Sequence, residues 1–485
     1  MKRATAVGAA VLLLVAGAGA QAHVGSFDAV EDGMAGPYHV LITIRPPDVI
    51  PGVARIDVRA FDGDVRGVRV VPLPIAGPGA ASPPVADVAV PSGDDPHLYG
   101  SSLWLMRAGS WKIRVTVDGA RGAGELSVPI PALARATRPM PPYLGGLLVA
   151  VMTLLAAAAI AIAGASVRES DLLPGVQPDR RRLARGRRAM AVTAGVLLLA
   201  IWGGRRWWRN EAAEFRKLVY KPLDVTVGQP APDRLSVSLV DPGWLKWRRT
   251  DDLIPDHGHL MHLFLVRAPG LDAIAHLHPR READGSFAQA VPRLPAGTYR
   301  LYGDLVHGNG IDETVATSLT LAGAAEEPDA ARFDPDDAVG LLPRAGGAQA
   351  PAFAFADGAG HLVWLDARAA RAGQTVVLEF EADGADGRPL AGVEPYMGMA
   401  AHAMIVARDG SVFAHIHPTG SVPMAAMALV DGTAAVDHSH HHGMMFPPRI
   451  RFPYVFPRAG SYRLFVQLKI GGRVETAAWD VDVAG

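Results

Sequence analysis

The chain of 485 residues contains no cysteine. Disulfides, iron–sulfur clusters, thiolate copper centres, cysteine-based zinc sites and attached c-type haem all need cysteine sulfur, so the sequence excludes them. An excess of charge is lacking too, because 47 basic residues stand against 48 acidic ones. Without a basic surface, nucleic acid is not an expected partner.

Long helical periodicity is absent outside two apolar runs. The rest of the sequence is dense in glycine and proline and has short alternating strands, as at 111–117. One phrase recurs at 107–112, 295–300 and 458–463, each time an Ala-Gly turn that leads into an aromatic residue. We therefore expect a mainly β protein, with three Ig-like antiparallel β-sandwich domains flanking a two-helix transmembrane hairpin.

The N-terminus is typical of a secretory signal. Lys2 and Arg3 precede an apolar run that ends in an Ala-Gln-Ala cleavage site. Cleavage after residue 22 would expose His23, whose imidazole and α-amine are a candidate chelate for Cu(II). An uncleaved membrane anchor is the alternative.

Two apolar runs, at 143–165 and 189–204, are predicted to cross a membrane, since a spanning helix needs roughly 20 apolar residues. The loop between them, 166–188, is rich in arginine, which favours the cytoplasmic side. The large flanking segments are then periplasmic. We therefore expect a protein of the inner membrane with the bulk of its chain outside the cytoplasm.

These segments divide the chain. The predicted parts are a signal peptide at 1–22, a β-sandwich domain at 23–135, transmembrane helices at 143–165 and 189–204 around the arginine-rich loop at 166–188, a His-rich β-sandwich domain at 222–322, an acidic linker at 323–350 and a Met- and His-rich β-sandwich domain at 351–485. The composition of the linker indicates that the last two domains can reorient.

The second and third domains share a pattern of histidines. In each, a histidine opens an apolar strand, and the chain returns after a turn as Ala-His-x-His-Pro with a branched aliphatic residue at x. A period of two places both returning histidines on one face of their strand. Counting equally from each turn predicts opposed pairs: His262 with His278, His402 with His417, and Met404 with His415.

Opposed side chains have β-carbons about 5 Å apart, close enough for two imidazoles to hold one metal ion. The candidate metal ligands are His259, His262, His276 and His278 in the second domain and Met399, His402, His415 and His417 in the third. Extra or outer ligands of the second-domain site are expected from Asp256, His257, Asp304 and His307. The alternative is a hydrogen-bonded His–Asp network at the sandwich rim.

Methionine and histidine without cysteine favour copper, because thioether binds Cu(I) and imidazole suits both oxidation states. Zinc is the second choice, since it takes histidine well but methionine hardly ever. Met424 and Met427 are instead expected to fill core space. The histidine run at 438–442 is expected to collect metal loosely.

Several of these features resemble the CopC-type and YtkA-like periplasmic copper-handling proteins. The resemblance rests on His23, on the strand Tyr38 to Ile44, on the two His-x-His-Pro hairpins and on the Ala-Gly-aromatic turns. It implies binding and passing on of copper rather than catalysis, with a copper transporter or another periplasmic copper protein as partner. It covers the extramembrane parts piecewise. The chain departs from the one-domain pattern by joining three domains around a membrane anchor.

Two other interpretations stay open. Gly270, His276, His278 and Glu282 follow the first motif of the cupins, a class with many metal enzymes, although Gln289 stands where the later glycine of that motif belongs. The chain is alternatively a structural or interaction protein of Ig-like domains without metal. Catalysis is not expected, because the sequence contains no visible set of nucleophile, base and orienting residue.

Overall fold

The computed structural model describes residues 28–173, 175–231, 233–244, 248–323, 332–346, 350–355, 358, 360–366, 369–432 and 444–485. The predicted signal peptide, His23 and the histidine run at 438–442 lie outside the described residues. Strands dominate, and apart from one parallel pair, formed by residues 370–371 and 483–484, the described sheets are antiparallel. The expectation of a mainly β protein is thus confirmed.

The first domain is a sandwich of two sheets. Its strands are β1 (Ala29–Ala35), β2 (Tyr38–Arg45), β3 (Gly52–Ala60), β4 (Val65–Pro74), β5 (Asp87–Val88), β6 (Val90–Pro91), β7 (Leu98–Leu105), β8 (Gly109–Gly119) and β9 (Gly122–Ala132). One sheet has the order β1-β2-β3-β7-β6 and the other the order β5-β4-β8-β9. In β3, Ala54, Ile56 and Val58 are fully buried, whereas Arg55 and Asp57 point away from the core. This alternation is what burial of one sheet face requires.

Two helices follow the first domain, α1 (Pro142–Glu169) and α2 (Arg180–Leu218). Both are long and apolar enough to cross a membrane, and the mean hydropathy of the most apolar window of α1 is 2.6. They pack side by side at Gly164 and Gly186, where a side chain on either glycine would meet the other helix. The predicted arginine-rich loop is shorter than expected, because α2 already begins at Arg180, with the Asp179 side chain accepting a hydrogen bond from the Arg182 backbone.

The second domain is also a sandwich. Its strands are β10 (Asp224–Ala231), β11 (Arg234–Val240), β12 (Leu253–Ile254), β13 (His262–Ala268), β14 (Ala273–Leu277), β15 (Arg280–Arg281), β16 (Phe287–Ala290), β17 (Gly297–His307), β18 (Asp312–Leu321) and β19 (Ala338–Leu341). One sheet has the order β10-β11-β16-β15. The other has the order β12-β17-β13-β14-β19, with β18 also paired to β17.

The third domain repeats this plan. Its elements are β20 (Ala352–Ala354), β21 (Gly360–Trp364), β22 (Ala370–Arg371), β23 (Thr375–Gly384), β24 (His402–Ala407), β25 (Phe413–Ile416), α3 (Met424–Asp431), β26 (Arg449–Val455), β27 (Gly460–Ile470) and β28 (Arg473–Ala484). The sheets have the orders β20-β21-β23-β26 and β22-β28-β27-β24-β25. The run β28-β27-β24-β25 corresponds to β18-β17-β13-β14 of the second domain.

The recurring Ala-Gly-aromatic phrase forms the same corner in all three domains. Its aromatic residue donates a hydrogen bond to a carbonyl oxygen four residues earlier: Trp111 to Arg107 at 3.1 Å, Tyr299 to Pro295 at 2.7 Å and Tyr462 to Arg458 at 2.8 Å. The glycine that begins each strand has a φ of 136°, 149° or 144°, in the region that favours glycine. The repeat therefore marks three related sandwiches.

The second and third domains bury a shared apolar seam. It is formed by Phe264, Val266, Leu271, Ile274 and Tyr302 from the second domain and by Met404, Val406, Phe413, Phe465 and Ala478 from the third. Tyr302 and Phe413 stack at its centre with ring centroids 4.2 Å apart. Part of the predicted linker, residues 338–341, is β19 and extends the second-domain sheet. The prediction that the two domains reorient is therefore corrected by a buried interface and a paired strand.

The third domain also docks on the first. The backbone nitrogen of Asp32 donates to the Thr419 carbonyl oxygen at 2.6 Å, and that of Ser421 donates to the Val30 carbonyl oxygen at 3.0 Å. Val422 and Met427 enter the core of the first domain, so the core role expected of Met427 is confirmed. All three sandwiches thus pack together.

We predict that Gly420→Ala weakens this docking. A β-carbon at residue 420 would overlap the Val30 carbonyl oxygen, and the φ of +135° there is one that alanine rarely adopts. The loss should be about 1–3 kcal/mol, seen as a lower thermal unfolding temperature of the full chain in detergent. Gly63→Ala is the matched control, because its added β-carbon meets nothing within 4 Å. Equal unfolding temperatures for the two variants would contradict the prediction.

Candidate metal centre

The predicted hairpins form in the predicted register. Phe264 pairs with His276 on β13 and β14, and Met404 pairs with His415 on β24 and β25, as expected. At the next position on the same face of each hairpin, two residues nearer its open end, the predicted pairs also meet. The His262 and His278 rings have centroids 5.0 Å apart, and the His402 and His417 rings have centroids 5.1 Å apart. In each domain the histidines thus gather at the open end of a hairpin.

The two hairpins face each other, which the sequence did not reveal. Leu263 and Leu265 point into the core of their own sandwich, so the alternate residues His262 and Phe264 point outward. That outward face meets the corresponding face of the third domain. As a result the His262 and His415 rings, from different domains, have centroids 5.2 Å apart.

A turn before each hairpin supports the site. The turns 256–259 and 396–399 are closed by mutual backbone hydrogen bonds between their end residues. Their second residues, His257 and Met397, have φ of 50° and 51°, and a glycine with positive φ follows each. The two turns therefore have the same shape and occupy corresponding places in the two domains.

Each turn fixes the tautomer of the first hairpin histidine. Nε2 of His262 lies 3.1 Å from the Asp256 carbonyl oxygen, and Nε2 of His402 lies 3.1 Å from the Tyr396 carbonyl oxygen. A carbonyl oxygen only accepts hydrogen bonds, so Nε2 must carry the proton in both rings. Nδ1 of each ring is left with a free lone pair.

Those lone pairs point at the next histidine. Nδ1 of His262 is 3.1 Å from Nε2 of His276, and Nδ1 of His402 is 3.0 Å from Nε2 of His415. The other ring nitrogen of His276 and of His415, Nδ1, contacts a residue of the opposite domain. Nδ1 of His276 donates to Oε1 of Gln467 at 3.0 Å, whereas Nδ1 of His415 lies 3.5 Å from a carboxylate oxygen of Asp304.

These outer partners have corresponding positions in the two sheets. Asp304 is paired with His262 on β17, and Gln467 is paired with His402 on β27. In each domain a turn therefore orients the histidine that opens the hairpin, His262 or His402. The strand next to that histidine carries the residue that orients the returning histidine of the other domain, His415 or His276. Asp304 serves a third-domain histidine rather than the second-domain site for which it was predicted.

His278 is oriented by the acidic segment. Nδ1 of His278 lies 3.0 Å from a carboxylate oxygen of Asp337. The same oxygen accepts a hydrogen bond from the backbone nitrogen of His278 at 2.8 Å. Nε2 of His278 is buried and has no hydrogen-bond partner among the described residues. A carboxylate behind an imidazole is the usual outer support of a histidine metal ligand. Asp337 could not be recognised from the sequence, because the acidic residues around it are typical of a linker.

His257 joins the third-domain histidines instead of the second-domain set for which it was expected. Its Nδ1 donates to the Met397 carbonyl oxygen at 2.8 Å, and its Nε2 lies 3.2 Å from Nε2 of His417. Within the described residues, two groups of three buried histidines each offer ligand atoms within 4.8 Å of one another: His262, His276 and His278, and His257, His402 and His417. The structure thus contains histidine clusters that could hold metal.

The remaining predicted ligands lie beside the two groups of three buried histidines rather than within them. His259 stacks on His278 with centroids 3.9 Å apart, and it forms a third, more open group with His278 and Asp334. Met399 occupies the corresponding position of the other turn and is 8% exposed. His415 is not in either group of three buried histidines, but it contacts His402.

Two residues that the sequence motifs had placed near the metal lie outside the histidine clusters. His307 belongs to a separate buried network, 3.0 Å from Glu313 and 3.1 Å from Asp252, so the expectation that it supports the second-domain site is wrong. Glu282, the acidic residue of the cupin pattern, forms an exposed ion pair with Arg234 at 2.8 Å. It is therefore part of the surface rather than of the histidine clusters.

Burial keeps the histidines neutral. It lowers the pKa of His262 to about 3. It also lowers the pKa of the other hairpin histidines well below the usual value: His276, His278, His402, His415 and His417. Neutral imidazole is the form that binds metal. Burial likewise raises the pKa of Asp304 to about 7 and that of Asp337 to about 6.

Comparison with known families identifies one model. It describes a domain of unknown function, DUF8832, and matches residues 224–323 and 356–485, just under half of the chain. Each matched range contains one histidine hairpin. No curated protein sequence matches the chain.

The matching solved structures are similar to this chain only at a low level. A tetra-tandem repeat from the extending region of a large adhesion protein is 10% identical, with a TM-score of 0.17 over 90% of this chain and 71% of that chain. Salmonella alpha-2-macroglobulin reacted with methylamine is 11% identical, with a TM-score of 0.23 over 95% of this chain and 24% of that chain. TM-scores this low carry no functional inference.

We predict that the metal-free protein loses stability as the pH falls from 7.5 to 5.5. Unfolded histidines take up protons below about pH 6.5 while the six buried ones do not, so each removes up to about 1.4 kcal/mol per pH unit on acidification. Asp304, Asp312 and Asp337 act in the opposite direction, since their raised pKa values let the folded state bind protons that the unfolded chain releases. The histidines are more numerous and should dominate.

Urea unfolding of the full chain, with a chelator present, measures this dependence. The variant His262→Gln should show a shallower loss than the wild type, because one of the buried imidazoles is gone. A midpoint that is constant or rises on acidification would show that the aspartates dominate instead.

Proposed function

We propose that this protein binds copper between its second and third domains. The observation that carries the proposal is the pair of facing lone pairs at His262 and His276, whose nitrogens are 3.1 Å apart. With both far nitrogens engaged as donors, neither near nitrogen has a proton to share. Two acceptors at this distance in a buried site repel each other unless a cation lies between them.

The distances suit a shared ion. Two nitrogens each about 2.05 Å from one ion, at angles between square and tetrahedral, are about 2.9–3.4 Å apart. The His262–His276 and His402–His415 nitrogens are 3.1 and 3.0 Å apart. Small side-chain movements would then complete a coordination sphere with a third imidazole.

Copper is the favoured ion on the chemistry of the donors. The two buried groups of three contain imidazole without carboxylate, which disfavours magnesium, calcium and manganese. Copper binds such nitrogen sites more tightly than zinc does. A thioether, that of Met399, also stands at the turn position that His259 occupies in the other domain. Zinc remains the second choice.

The place of this activity in the cell is part of the proposal. The predicted signal peptide and the arginine-rich first turns of α2 favour an inner-membrane protein whose three sandwiches lie in the periplasm. The resemblance to CopC-type and YtkA-like proteins then suggests copper buffering, resistance or delivery. Two helices are too few for an evident transport path, so delivery would involve a copper transporter or another periplasmic copper protein.

Two alternatives are weaker. A cupin-like enzyme would need Glu282 near the metal, but that residue is paired with Arg234 on the surface. A purely structural protein would need each buried imidazole to be satisfied by hydrogen bonds, yet Nε2 of His278 has no such partner in the part of the chain that the structure describes. A bound metal ion would give that nitrogen a partner.

We predict that the full chain in detergent holds copper against competing chelators, more tightly than zinc. His262→Ala and His402→Ala should each weaken Cu(I) affinity by more than about 100-fold, since loss of an outer partner alone typically costs 10–100-fold. Competition with a chromogenic Cu(I) chelator measures the affinity.

His97→Ala is the matched control, because His97 is an exposed first-domain histidine. Glu282→Ala should also leave copper binding unchanged, whereas a cupin-type site would lose metal. A wild-type protein that retains no copper, or that prefers zinc, would refute the proposal.

A further inference from the structure

We infer that the interface holds two copper ions as one binuclear centre, with ligands drawn from both domains. This inference rests on the proposed function and concerns the number and arrangement of the ions. We name the ligand groups the first set, His262, His276 and His278, and the second set, His257, His402 and His417 together with His415.

The number of inward-facing ring nitrogens exceeds what one ion can bind. Six imidazoles have one ring nitrogen anchored by a carbonyl, amide or carboxylate oxygen and present the other to the interface: His257, His262, His276, His278, His402 and His415. A copper or zinc ion in protein takes three or four such ligands. One ion would therefore leave at least two of these inward-facing nitrogens without a metal to coordinate.

The six nitrogens divide naturally between two ions. Three of them belong to the first set, which comes entirely from the second domain. The others belong to the second set, which combines His257 of the second domain with His402 and its neighbours in the third. Each set can supply a trigonal or tetrahedral environment on its own.

The two sets are in direct contact. Ring centroids are 5.2 Å apart for His262 and His415, 6.0 Å for His257 and His262, and 6.2 Å for His276 and His402. Ions held by the two sets would therefore be neighbours, as in two-metal sites, where the ions are about 3.5–4 Å apart.

The surrounding charges can balance two cations. Asp337 stands behind His278 of the first set, and Asp304 stands behind His415 of the second. One carboxylate thus backs each set. With both carboxylates ionised, two Cu(I) ions would meet two negative charges, so neither ion would be buried without a counter-charge.

The ligand sets also make the centre a link between domains. The second ion needs His257 from the second domain and His402 from the third. Outer partners cross the interface as well, since Gln467 orients His276 and Asp304 orients His415. Neither domain alone contains both complete sets.

The test combines metal analysis with electron paramagnetic resonance on the full chain in detergent, loaded with Cu(II) and freed of excess ion. We expect two coppers per chain and an integrated spin well below two, because neighbouring Cu(II) ions couple magnetically. His278→Gln removes one ligand from the first set and His257→Gln one from the second. Each variant should hold about one copper and regain the full signal of an isolated ion. His97→Ala should behave like the wild type.

The outcomes separate this inference from the proposed function. A wild-type chain without copper would overturn both. One copper with one full spin would leave copper binding intact but overturn the binuclear centre, and two coppers with two full spins would show two independent sites. Circular dichroism verifies that the variants are folded. If the X-ray absorption edge shows reduction to Cu(I), copper–copper scattering replaces the spin count, and its absence overturns the inference.

Discussion

The structure depends on the burial of neutral imidazoles in an apolar seam between two sandwiches. Aromatic and aliphatic side chains such as Phe264, Tyr302 and Phe413 remove water from the seam, and low polarity makes each unsatisfied nitrogen costly. In six of the rings the protein satisfies the outer nitrogen with an oxygen from a turn, a strand or the acidic segment. The inner nitrogens are left facing each other, so the buried interface presents several imidazole lone pairs within a short distance.

Much of the local structure could be predicted from the sequence. The alternation of residues gave the strands, and counting from the Asp409-Gly410 turn gave the pairing of Met404 with His415. The Ala-Gly-aromatic phrase marked three related domains because the corner it forms demands a glycine and an aromatic hydrogen-bond donor. These are short-range rules, and they hold wherever the same residues recur.

The assembly of the site could not be predicted, because it depends on long-range packing. The period of two shows that His262 and Phe264 share a face, but not what covers that face. The position of His257 depends on a turn with positive φ at a histidine, a conformation that sequence rarely signals. Asp337 was hidden by its acidic neighbours, although it adjoins a strand of the second-domain sheet. Helix lengths were underestimated for a related reason, since the apolar run of α2 stops well before the helix does at Leu218.

The matching turns at 256–259 and 396–399 also bear on how such a protein arises. One hairpin domain exposes a histidine face that only a second, similar face can cover, so a chain with a single copy would have to self-associate to bury it. Two copies joined in one polypeptide are permanently associated, and they can carry different residues at corresponding positions. Imidazole at His257 and His259 then stands where the other half carries the thioethers of Met397 and Met399. Covalent linkage thus allows the two sides of the pocket to differ in composition, which no symmetric assembly of identical subunits can do.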